Sequence, residues 1–267
     1  MDEKLSDQID ATSIDGYVEF EFDLPSALLG RLIDVFSEIE PAKLDIRTTQ
    51  TIPDEQGVYQ LFLDEVLVYV GKTDGDAGLR SRLSRHATKM LHRSNLDPSR
   101  VSYKAVRVFV FTAMDLEGDL IRHYGGVKKL AWNGSGFGSN DPGKERDTTR
   151  VKAQNFDAQY PIDIDRPIEF EIENGETIAL ALSRLKGSLP FTLRFEMIAP
   201  RSRTPHSDLT DSKLPALRGV TTARKIFQHL VQPLPRGWKI TALPGYVIMY
   251  KNDPRKIPSG SVVAASP

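Results

Sequence analysis

The sequence contains no cysteine. Disulfides and thiolate metal sites are therefore excluded, and the absence fits a reducing, cytoplasmic setting. No stretch approaches the roughly 18 consecutive apolar residues of a membrane-spanning helix, and no early apolar run resembles a signal peptide. The expectation is a cytoplasmic protein with no membrane partner. Net charge is nearly absent as well. Lys and Arg number 35 against 36 Asp and Glu, leaving −1, so global electrostatics do not announce a nucleic-acid binder. No internal repeat stands out. At 267 residues the chain can bury one substantial core or two modest ones.

What is present is local. Lys72, Arg80, Arg82, Arg85, His86, Lys89, His92 and Arg93 form a basic run with no acid between Gly78 and Leu96. Alone, such a run reads as a solvated helix face. Two β-rich runs stand directly before it. Gly57 to Leu63 and Val66 to Lys72 are rich in β-branched and aromatic residues and flank Asp64-Glu65, which predicts an antiparallel hairpin. Leu79, Leu83 and Ala87 recur at helical spacing, so a helix is predicted after the linker from Thr73 to Gly78. Arg82 and His86 share one face of that helix. With the hairpin in front, phosphate contact becomes the better reading of the basic run.

The same stretch resembles the GIY-YIG nuclease superfamily. Its first signature tripeptide is matched by Gly57-Val58-Tyr59 and its second by Tyr69-Val70-Gly71, with β-branched valine in place of isoleucine in each. The helix arginine and trailing histidine are matched by Arg82 and His86, the metal-binding glutamate by Glu117 and the late asparagine by Asn133. The string from Asn133 through Gly136-Phe137-Gly138 to Asp141-Pro142-Gly143 is similar to the Type II restriction branch. The resemblance covers roughly residues 45 to 160. It implies a GIY-YIG core in an α+β fold, with a small three-stranded antiparallel sheet flanked by helices.

Around that core the chain divides by composition. Residues 1–16 read as a disordered tail, and 17–50 as a strand-helix brace, with a strand over Tyr17 to Phe22 and a helix from Pro25 to about Ile39. The core is expected over 51–160, with a third strand at Val106 to Phe111 and a helix at Ala113 to Tyr124. Leu130 to Asp147 is too rich in Gly, Asn and Asp for regular structure. Residues 161–252 predict a C-terminal α+β accessory domain, with strands near Pro167 to Ile172, Phe191 to Glu196, Trp238 to Leu243 and Tyr246 to Tyr250. Helices are expected at Glu176 to Leu185 and Val220 to Val231, with a polar connection over Arg201 to Leu217. Residues 253–267 read as a tail.

The chemistry implied by the resemblance is phosphodiester hydrolysis. Glu117 would hold one Mg²⁺ (or Mn²⁺), Arg82 would neutralise the scissile phosphate, and Tyr59 would orient the water or take its proton. His86 would act as relay, Tyr69 would position phosphate or water, and Asn133 would fix geometry. Lys72, Arg80, Arg85, Lys144 and Arg146 are the candidate DNA contacts. The partner would be double-stranded DNA, cut by a homodimer formed at least on DNA. Restriction stands first, against repair, homing or phage defence on modified or non-palindromic DNA. A non-catalytic DNA-binding module is the third reading.

Overall fold

A computed structural model describes residues 16–17, 23–73, 77–109, 115–138 and 143–267. The proposed strand over Tyr17 to Phe22 falls largely outside them. The fold is α+β. Its first part comprises α1 (Leu24–Glu38), β1 (Ala42–Lys43), α2 (Ile46–Thr49), β2 (Gly57–Leu63), β3 (Val66–Lys72), α3 (Leu79–Met90), β4 (Val101–Arg107) and α4 (Leu116–His123). After a 3₁₀ turn at Lys144–Thr148 come α5 (Phe156–Gln159), β5 (Pro167–Glu169), α6 (Ile178–Ser188), β6 (Thr192–Phe195) and α7 (Ser207–Asp211). The chain closes with β7 (Val220–Thr222), α8 (Ala223–Val231), β8 (Trp238–Ala242), β9 (Tyr246–Lys251) and β10 (Ser261–Ala265).

The hairpin forms as its alternation demands, with β2 and β3 antiparallel and Tyr59 opposite Gly71. Its Asp64-Glu65 turn takes positive φ at both residues, 50° and 66°, the twist that suits a two-residue hairpin. Arg100 holds the strained Asp64, donating from Nε to Oδ1 at 2.6 Å. The first sheet has order β1-β4-β2-β3 and all its pairs are antiparallel. It holds four strands rather than the three expected, because the two-residue β1 is too short to leave a periodic signal. The strand expected at Val106 to Phe111 is Val101–Arg107 instead. Val101 and Tyr103 alternate inward there, and Val110 and Phe111 lie outside the described residues.

Each face of this sheet buries its own cluster. Tyr59, Leu61, Val68, Leu83, Met90, Trp132, Phe137 and Phe156 pack on one side. Val58 and Val70 pack on the other with Leu32 and Phe36 of α1 and Leu116 and Leu120 of α4. A bulge interrupts the alternation: Leu61 pairs with Tyr69 and Phe62 with Leu67, leaving Val68 as the extra residue. Val68 and Tyr69 consequently lie on the same face.

The second sheet has order β10-β8-β9-β6, with β6 parallel to β9 and the other pairs antiparallel. Val247 and Met249 point into a core with α6 and α8, while Tyr246, Ile248 and Tyr250 alternate to the opposite face. Ser261–Ala265, read as part of a tail, is the edge strand β10. Its short β-branched run satisfies the outer edge of β8, a tertiary demand that the Pro- and Lys-rich approach to it obscured. The segment read as one helix from Val220 splits at Thr222, whose hydroxyl accepts from Lys225 N and caps α8. The polar connection over Arg201 to Leu217 contains the short helix α7.

Candidate active site

A cavity of about 1090 Å³ opens on the face of the first sheet that carries Tyr59 and Tyr69. Helix α3 supplies its basic wall. Gly78 gives no side-chain cap, and Asp54 takes over that work by accepting from Ser81 N at 3.0 Å. Leu79, Leu83, Ala87 and Met90 anchor the helix in the core, which leaves Arg82 and Lys89 along the cavity and His86 buried behind it. Helix α4 begins at Asp115, whose carboxylate caps Gly118 N at 3.3 Å, and its first turn brings Glu117 to the cavity.

Tyr59 and His86 meet at the floor, with Oη and Nε2 separated by 2.8 Å. Two glycines make room for the tyrosine hydroxyls. A Cβ on Gly71 would stand 2.6 Å from the Tyr59 hydroxyl, and one on Gly138 would stand 2.6 Å from that of Tyr69. Phe137, between Gly136 (φ 86°) and Gly138, stacks on the His86 ring at 4.7 Å and roofs it from water. That burial drives the His86 pKa down to about 3, helped by the cations Lys89, Arg82 and Arg85. His86 is therefore a neutral imidazole at neutral pH, and accepting from Tyr59 requires the tautomer protonated at Nδ1.

Burial also dominates the other titrating groups. It pushes the Tyr59 phenol well above its usual range, with Tyr69 adding to the effect, and it raises Tyr69 in the same direction. Glu117 is raised by burial although Lys72 and Arg82 pull it down. The start of a helix ordinarily favours a carboxylate, so desolvation outweighs the dipole here. Among the described residues Glu117 joins no ion pair, and Lys72 pairs with Asp115 at 3.3 Å.

Not every candidate reaches the cavity. Tyr59, Tyr69, Lys72, Arg82, Glu117, Asn133 and Arg146 line it. Asn133, however, is committed to the backbone: Oδ1 accepts from Val70 N at 2.9 Å and Nδ2 donates to Val70 O at 2.8 Å. It thereby covers the free edge of β3, joined by Trp132 N donating to Val68 O at 2.9 Å. Its part in geometry is to hold the strand between Tyr69 and Gly71 and to start the loop that carries Phe137. Arg80 donates to Ile52 O at 2.9 Å, and Arg85 is exposed away from the cavity. Lys144 turns to Glu196 at 3.4 Å and lies over the Tyr250 ring. Among the candidate DNA contacts these three therefore do not line the cavity; neither the basic run nor the Gly-rich string says which way a side chain leaves its backbone.

No protein-family model matches the chain, and no curated protein sequence matches it.

Lys89, Arg150, Lys152 and Tyr246 line the cavity as well and were not singled out as site residues. Lys89 had a sequence signal, since it stands one turn beyond His86 on the helix that carries Arg82. Its ammonium donates to Phe137 O and sits 5.3 Å from the Phe137 ring centre. Burial lowers its pKa to about 8 despite the nearby Asp157 carboxylate. Tyr246 had no such signal, because only the packing of the two sheets brings it to the cavity.

Proposed function

We propose that the chain is a divalent-cation-dependent DNA endonuclease of the GIY-YIG type, acting in sequence-specific restriction on duplex DNA as a homodimer. One observation carries the reading. Four residues far apart in sequence, Tyr59, Tyr69, Arg82 and Glu117, line a single cavity, with His86 bonded to Tyr59 behind it.

The donor set suits Mg²⁺ or Mn²⁺. Glu117 offers a hard oxygen, and a carboxylate whose pKa burial raises gains from a neighbouring cation. Among the described residues no group of three or more His, Asp and Glu side chains forms a cage. A single carboxylate leaves positions for water and phosphate oxygens, the usual arrangement for Mg²⁺. Bound there, the cation supplies Lewis acidity toward the phosphoryl oxygens.

The chain's own residues provide the rest. Arg82 presents a planar fork to two phosphate oxygens, and the Tyr69 hydroxyl orients phosphate or water. Tyr59 is a phenol in the free protein, so it acts through proton transfer rather than as a standing phenolate. A water against Tyr59 Oη passes its proton to that oxygen as Tyr59 passes its own to His86 Nε2. Burial, with Lys89, Arg82 and Arg85 adding to it, disfavours the imidazolium in the free protein. A phosphodiester placed beside Arg82 adds the negative charge that offsets them, so the relay gains basicity when substrate is bound.

The test is cleavage of unmethylated plasmid and phage DNA by wild type, Arg82→Ala and Glu117→Ala, each with Mg²⁺ and with EDTA. Discrete fragments from wild type alone, abolished by EDTA, are expected. Removing Arg82 should lower kcat on the order of 10²–10³-fold, as loss of one transition-state donor does. Non-specific nicking would replace restriction with repair or defence. Tight DNA binding without cleavage in all three proteins would leave a binding module.

A further inference from the structure

The cavity has a second group of basic residues, of which only Arg146 was among the candidate DNA contacts. Arg146, Arg150 and Lys152 are exposed, line the cavity, and join no ion pair among the described residues. Like charges close together on one short segment repel one another, so their placement requires an external scaffold. The second sheet and the connection between β9 and β10 provide it at three points. Between the cations, Asp147 is fully buried and accepts from Arg194 Nη2 at 2.5 Å and from the Tyr246 hydroxyl at 2.9 Å. Arg255 lies 3.6 Å from the other carboxylate oxygen and donates from Nη1 to Lys144 O at 2.9 Å. Further along, Val151 N donates to the Ser259 hydroxyl at 2.9 Å.

A carboxylate with no exposed surface and several charged and phenolic partners is costly to misplace. It therefore pins the backbone on either side of it. The one acid left on the segment's surface, Glu145, does not line the cavity. Within the 3₁₀ turn Asp147 faces the second sheet and is buried, while Arg146 stays exposed at the cavity.

We propose that residues 146–152 form a phosphate-binding arm for duplex DNA, held against the cavity by the C-terminal sheet. Unpaired guanidinium and ammonium groups along one backbone match a row of phosphates, and such contacts position a duplex without reading its bases. The C-terminal unit then supports the arm through Arg194, Tyr246 and Arg255 around Asp147 and through Ser259 at Val151. The inference rests on the nuclease reading above.

The experiment measures binding of a fluorescein-labelled duplex of arbitrary sequence by anisotropy in EDTA over a salt series, alongside plasmid cleavage with Mg²⁺. Wild type is compared with the triple variant Arg146→Ala/Arg150→Ala/Lys152→Ala, with Ser259→Ala and with Asp147→Asn. All three substituted cations are exposed, so the triple variant should fold, and circular dichroism checks each protein. The slope of log K against log salt should shrink by about 0.9 for each phosphate contact removed, or roughly 2–3 for the triple variant. A smaller fall is expected in Ser259→Ala, which keeps every cation, and Asp147→Asn should follow it if folded. An unchanged slope in the triple variant, while wild type binds and cleaves, would overturn the arm and leave the nuclease standing. A reduced triple slope with wild-type behaviour in folded Ser259→Ala and Asp147→Asn would overturn the support by the C-terminal sheet. Failure of wild type to bind or cut any duplex would remove the nuclease reading and the arm with it.

Discussion

Substituting His86 by Gln should change how stability depends on pH. His86 is buried under Phe137 and between cations, and its pKa falls from 6.5 to about 3. The unfolded chain takes up a proton near pH 6.5 that the folded chain refuses until about pH 3. Stability is therefore unaffected by this group above pH 6.5 and declines as pH falls below it. The slope from one such group is about 1.4 kcal/mol per pH unit, so two units below 6.5 cost about 2.7 kcal/mol. That is a large share of the roughly 5–15 kcal/mol that holds a domain together. Gln cannot titrate, yet its amide can still meet the Tyr59 hydroxyl, so His86→Gln should show a modest constant offset and a shallower acid slope. Urea melts of both proteins from pH 7 downward measure the difference directly. Carboxylates titrating at lower pH affect both proteins alike. Parallel stability curves, or an imidazole resonance of His86 titrating near its ordinary pH, would refute the burial and the neutral imidazole.

Gly71→Ala forces a Cβ to within 2.6 Å of the Tyr59 hydroxyl and 2.7 Å of the Tyr69 ring, and both tyrosines must shift. A loss of about 1–3 kcal/mol by denaturation is expected, with a larger proportional loss of cleavage than of DNA binding. Asn133→Ala leaves Val70 N and Val70 O unpaired at a buried strand edge, each costing about 1–3 kcal/mol, which thermal melting should register. Lys89 loses its charge above about pH 8, so DNA affinity in EDTA should weaken through that pH. In Lys89→Met the step should vanish, and an unchanged step would assign it to another group. Tyr59→Phe keeps the packing but leaves His86 Nε2 without its hydroxyl partner; cleavage should fall far more than binding, and equal losses would deny Tyr59 a part in the chemical step.

Local pattern was enough for the elements nearest the site. The β-branched and aromatic runs on either side of Asp64-Glu65 specify the hairpin, and the Leu79, Leu83, Ala87 spacing specifies α3, because both depend on which face of a regular element is apolar. The resemblance to the GIY-YIG motif likewise named the tyrosines, Arg82, His86 and Glu117, residues that the structure brings together around one cavity. Elements whose existence depends on a distant partner were misread or missed. Ser261–Ala265 is a strand because β8 has an edge to cover, and Ala42–Lys43 because β4 has one.

The orientation of side chains was a tertiary matter throughout. The bulge that places Val68 and Tyr69 on one face breaks the period-two rule by which the strand was recognised. Asn133 could be named from its neighbours, but its engagement with Val70 depends on the loop folding back along the edge of β3. Arg80, Arg85 and Lys144 carry the right charge and lie outside the cavity, while Arg150 and Lys152 line it because Asp147 and Val151 are tied to a sheet built from the far end of the chain. Sequence alone determined which residue types stand at the motif positions. Only the packing of two sheets against one segment decided which of them share a cavity, because burial and distance between remote residues are properties of the assembled core.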